Sequence, residues 1–232
     1  MDITEYSKRS QFYLETAPPL LLDLFERHRG GSCLDLGCGD GNVLHALKAR
    51  GLLEGRTVYA LDISPNRIAN VRQGNPEFHC QVADACDPSG IADQSIDLLM
   101  STMVIEHVPS DEAMLRQIAR VLRAGGRAYI STVFKKPWAW YFHRCNGRWA
   151  LDPTHVREYT REGQLLDLLT RAGLTVLHSR KTLLAYPLID PLLRVLGCSR
   201  QVYLHSFLLR ALRRIKLPIL GYFNWEIVCQ KM

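Results

Sequence analysis

The sequence predicts an open α/β fold, a mostly parallel sheet with helices on both faces. Three observations carry this. Short apolar strand-like runs alternate with helical segments along most of the chain. A glycine-rich turn, CLDLGCGDG at 33–41, joins the first run to a helical pattern. Acidic residues end three successive runs, at Asp35, Asp62 and Asp84.

Residues 10–28 read as a leading helix with an apolar side of Phe12, Leu20, Leu21, Leu24 and Phe25, interrupted at Pro18-Pro19. SCLDL is the first strand. GNVLHALKAR follows with helical spacing at Val43, Leu44 and Leu47 and is closed by Gly51. TVYALDI is the second strand. SPNRIANVRQ is then a helix with Ser64 as cap and Pro65 at its first position, where the missing N–H has no intrahelical partner to lose. FHCQVAD and SIDLLMSTMV are the next two strands, and SDEAMLRQIARVLR is a helix capped by Ser110 with acidic residues in its first turn. GGRAYISTVF, LTVLHSRK and FNWEIVCQK complete seven strands. A helix capped by Thr160 and ended by Gly173 precedes the sixth.

Two stretches break the rhythm: an aromatic segment over 135–159, and a long apolar, basic one over about 182–224. Both are expected to be insertions in one domain spanning 1–232, with a helical lead over 1–30. Loops of an open α/β fold carry its specificity.

The 232 residues are 47% hydrophobic and 22% charged, the balance of a globular protein. Seven cysteines, an odd number without a C-x-x-C pair, argue for reduced thiols in a cytoplasmic setting, against a disulfide framework, and for no metal. The start, MDITEYSKRS, is not a signal peptide, and no uncharged apolar run is long enough to span a bilayer. A net charge of +6 admits an anionic partner.

The glycines at 37, 39 and 41 let the chain turn tightly and let a ligand approach backbone without a Cβ in the way. Their spacing is acidic-x-G-x-G-x-G. A dinucleotide fingerprint would need a third glycine at Asn42, and a P-loop would need Lys-Ser or Lys-Thr after the glycines. Asp62 suits a ribose diol, since one carboxylate accepts two hydrogen bonds, and Asp84 suits an adenine amino group. Asp62 as a helix cap and Asp84 as a turn cap are the plainer alternatives.

LDLGCGDG, ALDIS, VADA, IDLLMSTMVIEHV and ARVLRAGGRAYIST together resemble the successive motifs of the class I S-adenosylmethionine-dependent methyltransferases. The resemblance is strong over about 30–134 and follows the chain in outline to its end, with small-molecule enzymes such as those of quinone biosynthesis among the relatives. It implies a Rossmann-like, doubly wound, seven-stranded sheet with an antiparallel last strand. It implies S-adenosyl-L-methionine as cofactor and S-adenosyl-L-homocysteine as product. By the same resemblance Asp35 lies near the cofactor's ammonium and Gly37, Cys38, Gly39 and Gly41 near its carboxylate. Asp62 and Ile63 then lie at the ribose, Asp84 and Ala85 at the adenine, and Ser101, Thr102 and Met103 at the sulfonium.

Such a cofactor carries its own electrophile, so the protein mainly positions a nucleophile and excludes water. A base is needed only where the nucleophile holds a proton. His107, His155 and Tyr159 are the candidate catalytic residues, His155 in a lid-like approach to a helix. Glu106 reads as structural. Trp138, Tyr141 and His143, in an aromatic crowd before His155, are candidate substrate-binding residues, or simply packing.

From Pro191 to Trp225 six Lys and Arg stand without an Asp or Glu among many apolar residues. An amphipathic basic helix there, over 191–217, suggests a peripheral membrane contact or a helical cap over a substrate pocket. The expected reaction is methyl transfer to a small hydrophobic or aromatic metabolite. Cyclisation or decarboxylation with the same cofactor is one alternative, a nucleic-acid methyltransferase another, and a non-enzymatic cofactor-binding scaffold a third. Against nucleic acid, STMV follows the fourth strand in place of an Asn/Asp-Pro-Pro-aromatic pattern, and no Pro-Cys is present.

Overall fold

A computed structural model describes residues 17–232 apart from 142, 146, 188, 198–201, 203 and 204. The first half of the expected leading helix, with Phe12, lies outside the described residues. Its second half is α1 (Pro19–Arg27), with Pro18 before it and Pro19 at its first position.

The chain continues as β1 (Gly31–Leu36), α2 (Asn42–Lys48), β2 (Arg56–Asp62), α3 (Pro65–Gly74), β3 (His79–Val82) and β4 (Ile96–Thr102). Next come α4 (Asp111–Val121), β5 (Leu122–Lys135), the small hairpin β6 (His143–Cys145) and β7 (Arg148–Ala150), and α5 (Gly163–Arg171). β8 (Leu174–Pro187), α6 (Asp190–Val195), α7 (Phe207–Leu212) and β9 (Lys216–Lys231) complete it. Seven strands form one sheet in the order β3-β2-β1-β4-β5-β9-β8. The first five run parallel, and β9 is antiparallel to both neighbours. The expected doubly wound sheet with an antiparallel last strand is therefore present.

Alternation along the strands divides the core. Cys33 of β1 joins Leu21, Phe25, Leu44, Leu47, Ile68 and Val71 on the face covered by α1, α2 and α3. Leu34 and Leu36 join Met114, Leu115, Ile118, Leu165 and Leu169 under α4 and α5 on the other. Each apolar helix stripe buries against the sheet, the main favourable contribution to such a fold.

The expected caps at Ser64 and Ser110 are present, their hydroxyls accepting from Arg67 N and Ala113 N. Thr160 is a correction. α5 starts at Gly163, and Gln164 reaches back so that its Oε1 accepts from Thr160 N and Arg161 N, both at 2.9 Å. Those donors are satisfied by the amide side chain, not by a threonine hydroxyl.

The last hairpin is the second correction. The two strands run further than expected, and the connection between them shrinks to 188–215. Pro187 and Pro218 make the outer part a poor strand by sequence, yet they sit at its tip. Pairing jumps from Leu183↔Phe223 to Ala185↔Pro218, so residues 219–222 oppose Leu184 alone. Gly221 holds φ +82° within this bulge, and extra residues of this kind add a local bend and twist to a strand. The described part of the connection forms two short helices, not one amphipathic helix. Arg213 clamps Asp190 across them, Nε to Oδ1 at 2.9 Å and a second nitrogen to Oδ2 at 3.2 Å.

Candidate functional site

Winding reverses at β1, which pairs with β2 on one side and β4 on the other, and ligands of open α/β sheets bind outside the carboxyl ends at such a point. A cavity of about 770 Å3 lies there, within the range of small-molecule sites.

The glycine turn forms one wall. Gly37 N and Cys38 N both donate to Leu61 O at 2.8 Å, and Gly39 N donates to Asp62 Oδ2 at 2.8 Å. The loop is thus fastened to the end of β2 and presents bare backbone, not spare N–H groups. Gly37 has φ +84°, and a Cβ there would stand 2.4 Å from Val104 Cγ2. The turn and the β4 loop meet so closely that only hydrogen fits.

Asp62 is buried, with Oδ2 on Gly39 N and Oδ1 on Ser64 N at 2.9 Å. Each oxygen keeps a lone pair toward the cavity it lines, so the rigid carboxylate can still accept from a diol. Ile63, half-exposed, is beside it. Asp84 Oδ1 accepts from Cys86 N at 2.8 Å, the turn-capping alternative, and Asp84 and Ala85 both line the cavity.

Asp35 stands behind this wall, not on it. Both its oxygens are buried without a hydrogen-bond partner, and burial, with Asp62 nearby, raises its carboxyl to about 8. A buried carboxyl with both oxygens unmet, beside a second acid, is what a cationic ligand at the loop would relieve. The donor set therefore fits an adenosyl-sulfonium group: a diol acceptor at Asp62, an acceptor at Asp84 and a bare cradle at Gly37.

Thr102 and Met103 line the cavity, and Met103 holds φ +56° while its N donates to Ser131 O at 2.9 Å. A non-glycine residue held left-handed beside a cavity is typical of a functional constraint. Ser101 is a correction: buried, it donates to Leu36 O at 2.8 Å and ties β4 to β1. Gly41 likewise caps α2 at φ +77°, against Val71, off the wall.

The far wall is the lid, Pro153 to Val156. Val156 N donates to Glu106 O, and Arg157 donates to the carbonyls of Ile105, Val108 and Pro109, which pins the lid to the loop after β4. His155 is buried, and its Nδ1 lies 2.8 Å from Glu158 Oε1. An acceptor there keeps the proton on Nδ1 and makes Nε2 the acceptor nitrogen of the ring. Glu158 also accepts from Leu151 N at 2.6 Å and faces Lys135 at 3.5 Å.

His107 Nδ1 lies 3.0 Å from Thr154 Oγ1, whose own hydrogen goes to Asp152 Oδ1 at 2.6 Å. Burial first, then His155, lowers His107 to about 4, so it is neutral near pH 7. Glu106 is fully buried, with Oε2 on Thr132 at 2.9 Å and Oε1 unpartnered, and burial raises it to about 7. Donor atoms of Glu106, His107 and His155 lie within 4.8 Å of one another.

Tyr159 does not join them. Its ring packs on Trp225 in the core, and its hydroxyl donates to Asp111 at 3.1 Å. Nor do Trp138, Tyr141 and His143 line the cavity. The β5–β9 ladder runs out to Lys135↔Tyr222, which carries the following residues onto β9. There Trp138 covers Gly221, and Tyr141 packs on Tyr222 and His143. Sequence reasoning missed Ser131 and Asn224, brought to the cavity by sheet order, and Glu158, whose spacing of three from His155 was a legible signal.

The family profile described as a methyltransferase domain matches residues 8–179. A ubiquinone biosynthesis O-methyltransferase of Aeromonas salmonicida (strain A449) is 30% identical over 127 residues, 53% of this chain and 53% of that protein. The chain thus matches about half the length of that relative. A SAM-dependent methyltransferase of Methanosarcina mazei superposes with TM-score 0.62 at 16% identity, over 94% of this chain and 99% of that one. The [4+2]-cyclase SpnF gives 0.63 at 17%, over 91% and 80%. At such identities the likeness is one of fold, and that fold serves more than one reaction. With the profile covering well over half of its length, the chain belongs to the S-adenosylmethionine-dependent methyltransferase family.

Proposed function

We propose that this chain binds S-adenosylmethionine in the 770 Å3 cavity and methylates a small, hydrophobic or aromatic acceptor there. The observation that supports it is convergence: the glycine cradle, Asp62, Asp84, Met103 and two imidazoles border one space. When bound, the cofactor supplies a methyl group on a positively charged sulfur. Asp62 holds the ribose, Asp84 with Ala85 the adenine edge, and Met103 and Thr102 border the reacting end. Val104, Val108, Pro109, Val156 and Leu184 keep the acceptor's side apolar and exclude water. His155 takes the acceptor's proton through Nε2, and Glu158 holds the imidazole in the right tautomer. His107, neutral, orients the acceptor.

Incubation with methyl-labelled cofactor and a panel of phenols, quinols and amines tests this. A labelled product is expected from a lipophilic phenol or quinol. An unlabelled isomer of the acceptor would instead support cyclisation.

Asp35 adds a pH signature. Without ligand its raised value favours the fold below the ordinary 3.8, a contribution lost as pH rises through about 8. A cation over the loop restores the ionised form, so binding releases about one proton near neutrality. Affinity should climb with pH up to about 8 and then level. Calorimetry in two buffers of different ionisation enthalpy reads this release, and Asp35→Asn should abolish it. Equal heats in both buffers for the unaltered protein would refute it.

A further inference from the structure

The end of the last hairpin is apolar where a free-standing element should be polar. Val195, Leu196, Phe207, Leu208, Leu217 and Leu220 are all more than half exposed, Phe207 to 77% and Val195 to 85%. One segment of a soluble surface seldom exposes so many large apolar side chains. They do not cap the cavity: among the described residues of 188–215, none lines it. At the base, Trp138 covers Gly221 and is itself 67% exposed, an amphipathic ring at the edge of an apolar patch.

Charge selects the occupant. Residues 183–225 hold six Lys and Arg against a single acid, Asp190. That acid is already bound by Arg213 inside the tip, so positive charge dominates the segment, with Arg214 and Lys216 exposed on its described part. Exposed apolar side chains on a segment of one-sided positive charge match a negatively charged bilayer, where side chains enter the acyl boundary and cations meet headgroups.

We propose that the tip of the β8–β9 hairpin is a docking surface for an anionic lipid bilayer. Leu184, on the cavity wall, precedes the end of β8 by three residues, ~10 Å at the rise of a strand. The docked hairpin therefore joins the bilayer to the acceptor's side of the cavity. The lipid contact itself does not depend on the reaction proposed above.

Flotation of the full chain with vesicles of phosphatidylcholine alone, or of phosphatidylcholine with phosphatidylglycerol, tests the proposal. Partition into the anionic vesicles should exceed that into the neutral ones on the order of 30-fold at low salt, for about two basic residues, and the excess should fall at high salt. Phe207→Ser with Leu208→Ser should abolish partition, while Arg214→Glu with Lys216→Glu should remove only the anionic preference. All four side chains are exposed, so circular dichroism and titration with S-adenosylhomocysteine should match the unaltered protein. Absence of partition into anionic vesicles at low salt overturns the proposal. So does concentration-dependent self-association, relieved by the Phe207 and Leu208 changes, without vesicle binding. Loss of cofactor binding with lipid binding intact would count against the active-site reading alone.

Discussion

Asp62→Ala should weaken cofactor binding by ~100-fold or more, because it removes two functions together. In the native chain the carboxylate fixes Gly39 N and Ser64 N, which sets the cradle's shape, and it turns its remaining lone pairs to the cavity. A hydrogen bond to a charged group contributes about 1.5–3 kcal/mol, so two lost to a ribose diol account for that factor or more. Asn at this position should be nearly as damaging, since its NH2 would face a backbone N–H. Titration with S-adenosylhomocysteine measures the loss, with thermal unfolding as the check on the fold. Affinity within a few-fold of native for both variants would remove Asp62 from the site.

His155→Ala should lower kcat by ~10²–10⁴-fold on a phenolic acceptor, the usual worth of a positioned base, with cofactor affinity unchanged. His155→Gln should fall as far, because an amide cannot take the proton. Glu158→Gln should lower kcat less, because it removes the negative charge that stabilises the imidazolium and leaves both the tautomer and the base in place. An acceptor already ionised in solution should escape most of the loss. The grouping with Glu106 and His107 has the residue types of a metal site, so chelation is the control. The base reading expects turnover to survive a chelator. Loss of turnover that divalent ions restore would make these three residues ligands.

The sheet was legible because its signals are local. The 3.6-residue and two-residue periods, the serine caps at 64 and 110 and the glycine turn depend on neighbours in sequence. So was the edge of the cavity, where strand ends and acids coincide at Asp62 and Asp84. The resemblance puts Asp35 and Ser101 beside the cofactor, whereas both side chains are buried and neither lines the cavity. Tyr159, Trp138, Tyr141 and His143 show the limit of residue type. An aromatic ring suits a pocket or a core equally, and only the long β5–β9 ladder decides which side receives it. The outer hairpin was obscured by its prolines and by a bulge whose length no local rule sets. Ser131 and Asn224 reach the cavity by strand order alone, a long-range property.

One crystal structure with S-adenosylhomocysteine bears most directly on the cavity at the β1–β4 switch point. The ribose hydroxyls should lie within hydrogen-bonding distance of Asp62, the adenine beside Asp84 and Ala85, and the sulfur next to Met103. A ligand bound elsewhere, or one that leaves Asp62 bonded only to Gly39 and Ser64, would contradict the assignment.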